Sequence, residues 1–360
     1  MRTLVSFPRA GMNPYSRMLY LLPRAAQWNV RETSVLTRFV ELLDEIGAGD
    51  VIHVQWSWPI FRTDADPQEV EENLRSFCTA VARARSRGSF LLWTVHNLVS
   101  HDSEFLSLER RFSNFMGAYA DHVIQLNCRT EELVREHCSV GEAEFVTIEH
   151  STYRGVYPQE ITRDQARESL GIRPDRPVVG FVGQVRPYKG IERLLEAVGS
   201  LKTQGQEITV LLAGKPQAGV EEELDSIVDR QGIDCVRLYE FVPDHELQTW
   251  FRAADLMVFP YAKVLNSGSA YLSATFSTPC VLPREPQFET LFEDEDWVHL
   301  FDESDPEGLK HAISEGIAAA SASRGAADAF ARRHLPWHMS HGFLDLLQSL
   351  PAGGAERGQG

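Results

Sequence analysis

The sequence predicts an α/β protein made of two doubly wound lobes, and three observations carry that expectation. A chain of 360 residues is too long for one compact core and suits two α/β domains. Apolar runs of strand length alternate with amphipathic stretches of helix length along nearly all of it. Those runs are apolar throughout rather than at every second position, as strands are when helices cover both faces of a parallel sheet.

In chain order, the first strand series is 3–7, 51–55, 90–95, 122–126 and 145–148, and the second is 178–182, 208–213, 236–241, 256–260, 280–282 and 298–301. Helical periodicity fills 68–87, 104–120, 191–201, 220–230 and 245–253, and further helices are expected at about 306–349. The break between lobes is placed in 151–177, where a loop-like Ser151-Thr-Tyr-Arg-Gly-Val-Tyr-Pro and the prolines 174 and 177 interrupt the pattern. The expected division is 1–155, 156–335, and a C-terminal helix and tail over 336–360. Ligands of such folds bind where the carboxyl ends of the strands face a cleft between the lobes.

Composition excludes several functions. A net charge of −16 disfavours nucleic-acid binding, which depends on neutralising phosphates. The charge is uneven: residues 1–155 hold 16 Arg, no Lys and 20 acidic residues, a net −4, which leaves −12 for the remainder. The first lobe is therefore the less repulsive one for an anionic partner. The five cysteines (Cys78, Cys128, Cys138, Cys235, Cys280) are scattered and form no C-x-x-C pair, against both a disulfide framework and a structural zinc site. A cytoplasmic location is expected. The first residues read as a buried strand rather than a signal peptide, and no apolar run reaches the roughly 20 residues of a membrane span.

The segment from Val178 to Leu195 is the most informative. A buried strand ends at Gly183, a loop presents Arg186 and Lys189, and a helix starts near Gly190. Two cations beside free helix amides suit a diphosphate. Later, a strand ends at Pro260 and Asn266, Ser267, Gly268 and Ser269 open another helix, whose hydroxyls and amides can hold phosphate oxygens. The first segment has an ordinary strand–loop–helix connection as its alternative and the second a plain helix N-cap; together they read as the two halves of a diphosphate site.

With these residues in view, the chain resembles GT-B glycosyltransferases of the family 4 type over about residues 90–300. The resemblance rests on Gly183-x-x-Arg-Pro-Tyr-Lys-Gly, Leu212-Ala-Gly, Phe241-Val-Pro-Asp, Ala254-Asp-Leu-Met-Val-Phe-Pro and Thr278-Pro-Cys-Val. It implies two Rossmann-like domains facing across a cleft, a donor diphosphate held by the cationic loop and the late helix, and a nucleotide base near Phe241 and Val242. Asn13-Pro-Tyr, Val51-Ile-His-Val-Gln-Trp-Ser-Trp-Pro, Thr94-Val-His-Asn-Leu and Asn266-Ser-Gly narrow it towards the β-1,4-mannosyltransferases of xanthan-type exopolysaccharide assembly. That narrower resemblance implies an inverting enzyme with GDP-mannose as donor and a polyprenyl-diphosphate-linked saccharide as acceptor, hence contact with the inner face of the plasma membrane. One departure stands out. Family 4 retaining enzymes carry two Glu eight apart, and those places hold Val264 and Leu272, neither of which can hydrogen-bond a sugar.

Transfer from a nucleoside diphosphate needs stabilisation of the leaving phosphates and removal of the acceptor's proton. Arg186, Lys189 and the amides near Ser267 serve the first need without a metal, and no cofactor is expected. Asp64-Ala-Asp66 is a D-x-D pattern, but it reads as helix-capping charge. For the proton, the candidates after strand 90–95 are His96, His101, Asp102 and Glu104, each with a structural alternative. Acceptor-side candidates are Gly11, Asn13 and Tyr15 in the loop after the first strand, Trp56 and Trp58 after the second, and His150 after the last. A UDP-sugar enzyme and a catalytically silent nucleotide-sugar-binding protein are the other open readings.

Overall fold

The computed structural model describes residues 1–353 except 10, 12, 63–64, 99–103 and 263. The chain divides into two units, 1–150 with 336–360, and 151–335.

The first unit runs β1 (Thr3–Phe7), α1 (Tyr15–Leu19), α2 (Leu21–Ala25), β2 (Asn29–Glu32), α3 (Leu36–Asp44), β3 (Val51–Val54), α4 (Pro67–Ser86), β4 (Phe90–Val95), α5 (Leu106–Tyr119), β5 (His122–Gln125), α6 (Thr130–His137) and β6 (Glu144–Thr147). Its six strands pair in parallel in the order β2-β1-β3-β4-β5-β6. The order reverses between β1 and β3. Right-handed crossovers therefore send the connecting helices to opposite faces on either side of that point. β3 and β4 are buried at every residue, as a doubly covered sheet requires. The edge strand β2, Asn-Val-Arg-Glu, is half-buried throughout, and its polar composition hides it from a search for apolar runs.

The second unit runs α7 (Arg163–Ser169), β7 (Val178–Val182), a 3₁₀ turn (Pro187–Lys189), α8 (Ile191–Thr203), β8 (Thr209–Ala213), α9 (Val220–Gln231), β9 (Asp234–Leu238), α10 (Leu247–Ala253), β10 (Leu256–Val258), α11 (Gly268–Thr275), β11 (Cys280–Pro283), α12 (Pro286–Leu291), β12 (Val298–Phe301) and α13 (Gly308–Arg333). Its parallel sheet has the order β12-β11-β10-β7-β8-β9, which reverses between β7 and β10. Asp255 ties the amino ends of these two strands to α7. Its carboxylate accepts from Arg163 and Arg167 at 2.7 Å each and from the Val178 amide at 2.9 Å.

Several boundaries differ from the sequence expectation, and three of them are informative. The units divide at 150/151 because Thr152 and Tyr153 bond to the second unit: the Thr152 amide donates to the His334 carbonyl at 2.8 Å and the Tyr153 amide to Thr275 Oγ1 at 2.9 Å. The last helix, α14 (Pro336–Ser349), is no separate appendage. It buries Met339, Phe343, Leu346 and Leu347, packs on α1 and α2, and Ser340 Oγ accepts from the Leu22 amide and donates to the Leu19 carbonyl. The edge strand β9 of the second unit spans Asp234–Leu238 rather than 236–241, and it opens on an exposed aspartate that an apolar pattern passes over.

Candidate active site

Both predicted clusters assemble at the places where strand order reverses, which is where open α/β sheets bind ligands. In the second unit the loops after β7 and β10 meet. Gly183 leaves β7 with its amide on the Ala213 carbonyl (3.0 Å), and an ideal Cβ on Gly214 would lie 1.6 Å from the Gly183 carbonyl oxygen. Only a glycine at 214 allows that approach. Arg186 is extended, Pro187 starts the 3₁₀ turn with its fixed φ, and Gly190 ends it with φ 67°, after which α8 starts with no side-chain cap.

Lys189 lies between two rings, with its ammonium 4.0 Å from the centre of Tyr261 and 5.0 Å from that of Tyr188. Burial lowers its pKa, which the Tyr188 hydroxyl partly offsets. Among the described residues neither Lys189 nor Arg186 pairs with a carboxylate. The other loop is fastened to the first: the Ala262 amide donates to the Tyr188 carbonyl at 3.1 Å, and the Tyr261 hydroxyl meets Ser269 Oγ at 2.9 Å. Ser267 Oγ caps α11 by accepting from the Ala270 amide at 3.3 Å, with Gly268 opening the helix and Asn266 just ahead of it. Lys189 and the α11 start thus meet through Tyr261. Tyr188 and Tyr261, which cradle the lysine, are not singled out by the sequence reading; an aromatic on each side of the cationic motif is the signal that could have found them. Phe241 is 53% exposed beyond β9, whereas Val242 is buried.

In the first unit Tyr15, Trp56, His96 and His150 come together from the loops after β1, β3, β4 and β6. Trp56 stacks on His96 with ring centres 4.0 Å apart and planes at 11°, and Tyr15 meets His96 edge-on at 4.9 Å and His150 at 5.2 Å. Tyr15 is not in a loop, as expected, but is the first residue of α1 and is buried. Asn13 explains the helix start: its Oδ1 accepts from the Tyr15 amide at 2.9 Å, and Pro14 supplies the preset φ. That side-chain oxygen is therefore engaged locally. Gly11 and Trp58 are exposed. Glu104 is exposed and precedes α5, which starts at Leu106 rather than at 104. His101 and Asp102 lie outside the described residues. Asp66 caps α4 through the Gln68 amide at 2.8 Å, while Asp64 lies outside the described residues.

His96 is half-buried, and its pKa is driven well below the usual imidazole value by burial first and by His150 and His53 next. It is a neutral ring at pH 7, poorly matched to proton abstraction. We expect a rate–pH profile without an inflection assignable to His96 between about pH 5.5 and 8, where an unperturbed imidazole would titrate. An inflection in that window that disappears in His96→Gln would show the ring to be the base.

The comparisons with known proteins agree with this fold. Residues 162–327 match the family model described as glycosyl transferases group 1. This chain is a GT-B glycosyltransferase. Over 337 residues it is 25% identical to the GDP-mannose:glycolipid 4-beta-D-mannosyltransferase of Xanthomonas campestris pv. campestris, covering 91% of this chain and 86% of that one. A D-inositol 3-phosphate glycosyltransferase of Catenulispora acidiphila is 36% identical over 103 residues, 26% of this chain and 24% of that one. Among solved structures, sucrose-phosphate synthase of Thermosynechococcus elongatus superposes with TM-score 0.74 at 17% identity, covering 97% of this chain and 98% of that one. HepE of Anabaena, in complex with UDP and glucose, has TM-score 0.74 and 17% identity over 97% of this chain and 100% of its own. Among the described residues, no helix of this glycosyltransferase is long and apolar enough to cross a membrane.

Proposed function

We propose that this glycosyltransferase moves mannose from GDP-mannose, with inversion and without a metal ion, to a hydroxyl of a lipid-linked saccharide. The observation that carries the reading is the pair of cations, Arg186 and Lys189, with no carboxylate partner among the described residues, at the β7/β10 reversal beside the α11 helix start. In a chain of net charge −16, such cations are kept uncompensated only at a cost unless an anion completes them. The choice of sugar and acceptor is supported by the full-length similarity to the Xanthomonas mannosyltransferase.

The chemistry follows from the charges. The acceptor oxygen attacks the anomeric carbon as the bond from that carbon to the phosphate oxygen breaks, and one further negative charge develops on the departing diphosphate. Arg186 supplies a planar fork and Lys189 a point charge to those oxygens, and the amides of α11 add the helix dipole. The acceptor proton passes to a base, for which neutral His96 is the weaker candidate and the carboxylates Glu104 and Asp102 the better. Absence of the glutamate pair at Val264 and Leu272 supports inversion, since neither side chain can assist at the sugar ring. The saccharide acceptor is assigned to the first unit, with Trp56, Trp58 and His150 as its surface.

The test is a thermal-shift series with GDP, UDP, ADP and dTDP, followed by transfer assays in EDTA. Saturating GDP, at about 100 times its Kd, is expected to raise the Tm by about 5 °C, an effect lost in Arg186→Ala. Transfer is expected to survive EDTA. A rise with UDP alone would replace mannose by a UDP-linked sugar. Loss of transfer in EDTA, restored by Mn²⁺, would overturn metal independence. No response to any nucleotide would favour a protein that has lost catalysis.

A further inference from the structure

Tyr15 is 1% exposed, and its hydroxyl has no hydrogen-bond partner among the described residues. A buried hydroxyl without a partner lowers stability, and phenylalanine would fill the same space without that penalty. Yet this ring is held in place from several directions. Asn13 Oδ1 fixes its backbone amide. The next residue, Ser16, accepts at Oγ from Gln55 Nε2 at 3.1 Å, and the same amide donates to the Tyr20 hydroxyl at 3.0 Å and to Ser6 Oγ at 3.2 Å. Tyr20 continues to His53 Nδ1 at 2.6 Å, and His53 Nε2 meets Thr94 Oγ1 at 2.7 Å. Burial pushes His53 down to about 3, so this network stays neutral at ordinary pH. It ties α1 to β1, β3 and β4, and α1 cannot turn Tyr15 towards another partner without breaking it.

The hydroxyl is closed in by aromatic rings, so a sugar reaches it when one of them shifts. Trp56 and His96 form a stacked pair whose members lie 6.0 and 4.9 Å from the Tyr15 ring, and His150 lies 5.2 Å away on another side. All four residues sit at the carboxyl end of one parallel sheet, and Tyr15 and Trp56 flank its β1/β3 reversal. Aromatic faces with a few fixed polar atoms are what a saccharide ring binds.

We propose that the Tyr15 hydroxyl is a specificity-determining group that donates a hydrogen bond to one particular sugar hydroxyl. This rests on the carbohydrate-transfer reading above and adds a required substrate group to it. The hydroxyl belongs either to the transferred sugar or to the acceptor sugar, and the chemistry at Tyr15 is the same for both. A site built to bond a hydroxyl rejects the analogue that lacks it far more strongly than an apolar site distinguishes two sizes.

The experiment compares wild type with Tyr15→Phe in three ways: unfolding without ligand, KM and kcat for donor and acceptor separately, and a series of monodeoxy sugars. Without ligand, Tyr15→Phe is expected to be as stable as wild type or more so. One KM should rise at least tenfold, and which one rises identifies the source of the hydroxyl. One monodeoxy analogue should lose at least tenfold with wild type and nothing further with the variant. A variant less stable than wild type without ligand would show an internal partner and overturn the proposal. Unchanged KM values with additive deoxy penalties would overturn it too. If wild type transfers no sugar, the saccharide-induced thermal shift decides. A shift that the variant loses upholds Tyr15 while the transferase reading fails; no shift in wild type overturns both.

Discussion

Replacing Lys189 by alanine is expected to weaken binding of the nucleoside diphosphate by roughly 100-fold, about 2.8 kcal/mol, without lowering the stability of the free protein. The two halves of that expectation have one cause. The ammonium is largely buried between Tyr188 and Tyr261, and in the free protein no carboxylate among the described residues compensates it. Its lowered pKa means that the unfolded chain binds the proton more tightly than the folded one. Folding stability therefore rises with pH through the interval between the folded and unfolded values, and the charged lysine is a burden below it. A diphosphate reverses the balance by favouring the charged form. Affinity should accordingly fall as pH rises through the lowered pKa of Lys189, earlier than an exposed lysine would cause. Calorimetric titration at several pH values checks both statements. Wild type should lose affinity towards alkaline pH, and Lys189→Ala should bind weakly with that component of the pH dependence gone. Unchanged affinity in a folded Lys189→Ala would remove the lysine from the donor site.

What the sequence made legible follows the physics of each element. β1, β4, β7 and β12 were readable to the residue because they are apolar runs closed by turn residues. β2 was not, since an edge strand keeps polar residues and its hydrogen bonds come from β1, a partner distant in sequence. The short helices α1 and α2 were missed for a similar reason. Five residues each are too few for a periodic pattern, and their stability comes from packing on α14, more than 300 residues away in the chain. The cationic loop was legible because Pro and Gly flank the two charges and fix their setting. Tyr261 was not, because only the folded chain brings a residue after β10 against one after β7. The same holds for Tyr15. Its place in the Asn13-Pro-Tyr motif was visible, but its burial and the orphaned hydroxyl are properties of the packing.

A second large effect is expected from Gly190→Ala: a loss of roughly 3 kcal/mol of stability or more, together with loss of donor binding. Gly190 has φ 67° and ψ 30°, the left-handed region in which a Cβ meets the following carbonyl. That alone costs about 1–2 kcal/mol. An ideal Cβ would also lie 2.1 Å from the carbonyl oxygen of Pro260. The obstacle is backbone at the end of β10, not the tip of a side chain, so relief requires the two loops to separate. Separation carries Lys189 away from Tyr261 and breaks the link from the Ala262 amide to the Tyr188 carbonyl. Stability and affinity should therefore fall together, in contrast to Lys189→Ala, where affinity alone falls. Gly171 provides the control. Its φ of 66° is almost the same, but nothing lies within 4 Å of its ideal Cβ. Gly171→Ala should cost only the conformational part, about 1–2 kcal/mol, and leave donor affinity intact. Denaturant unfolding of the two variants side by side separates backbone strain from the clash. Equal losses in both would mean that the β7 and β10 loops do not press together at Gly190.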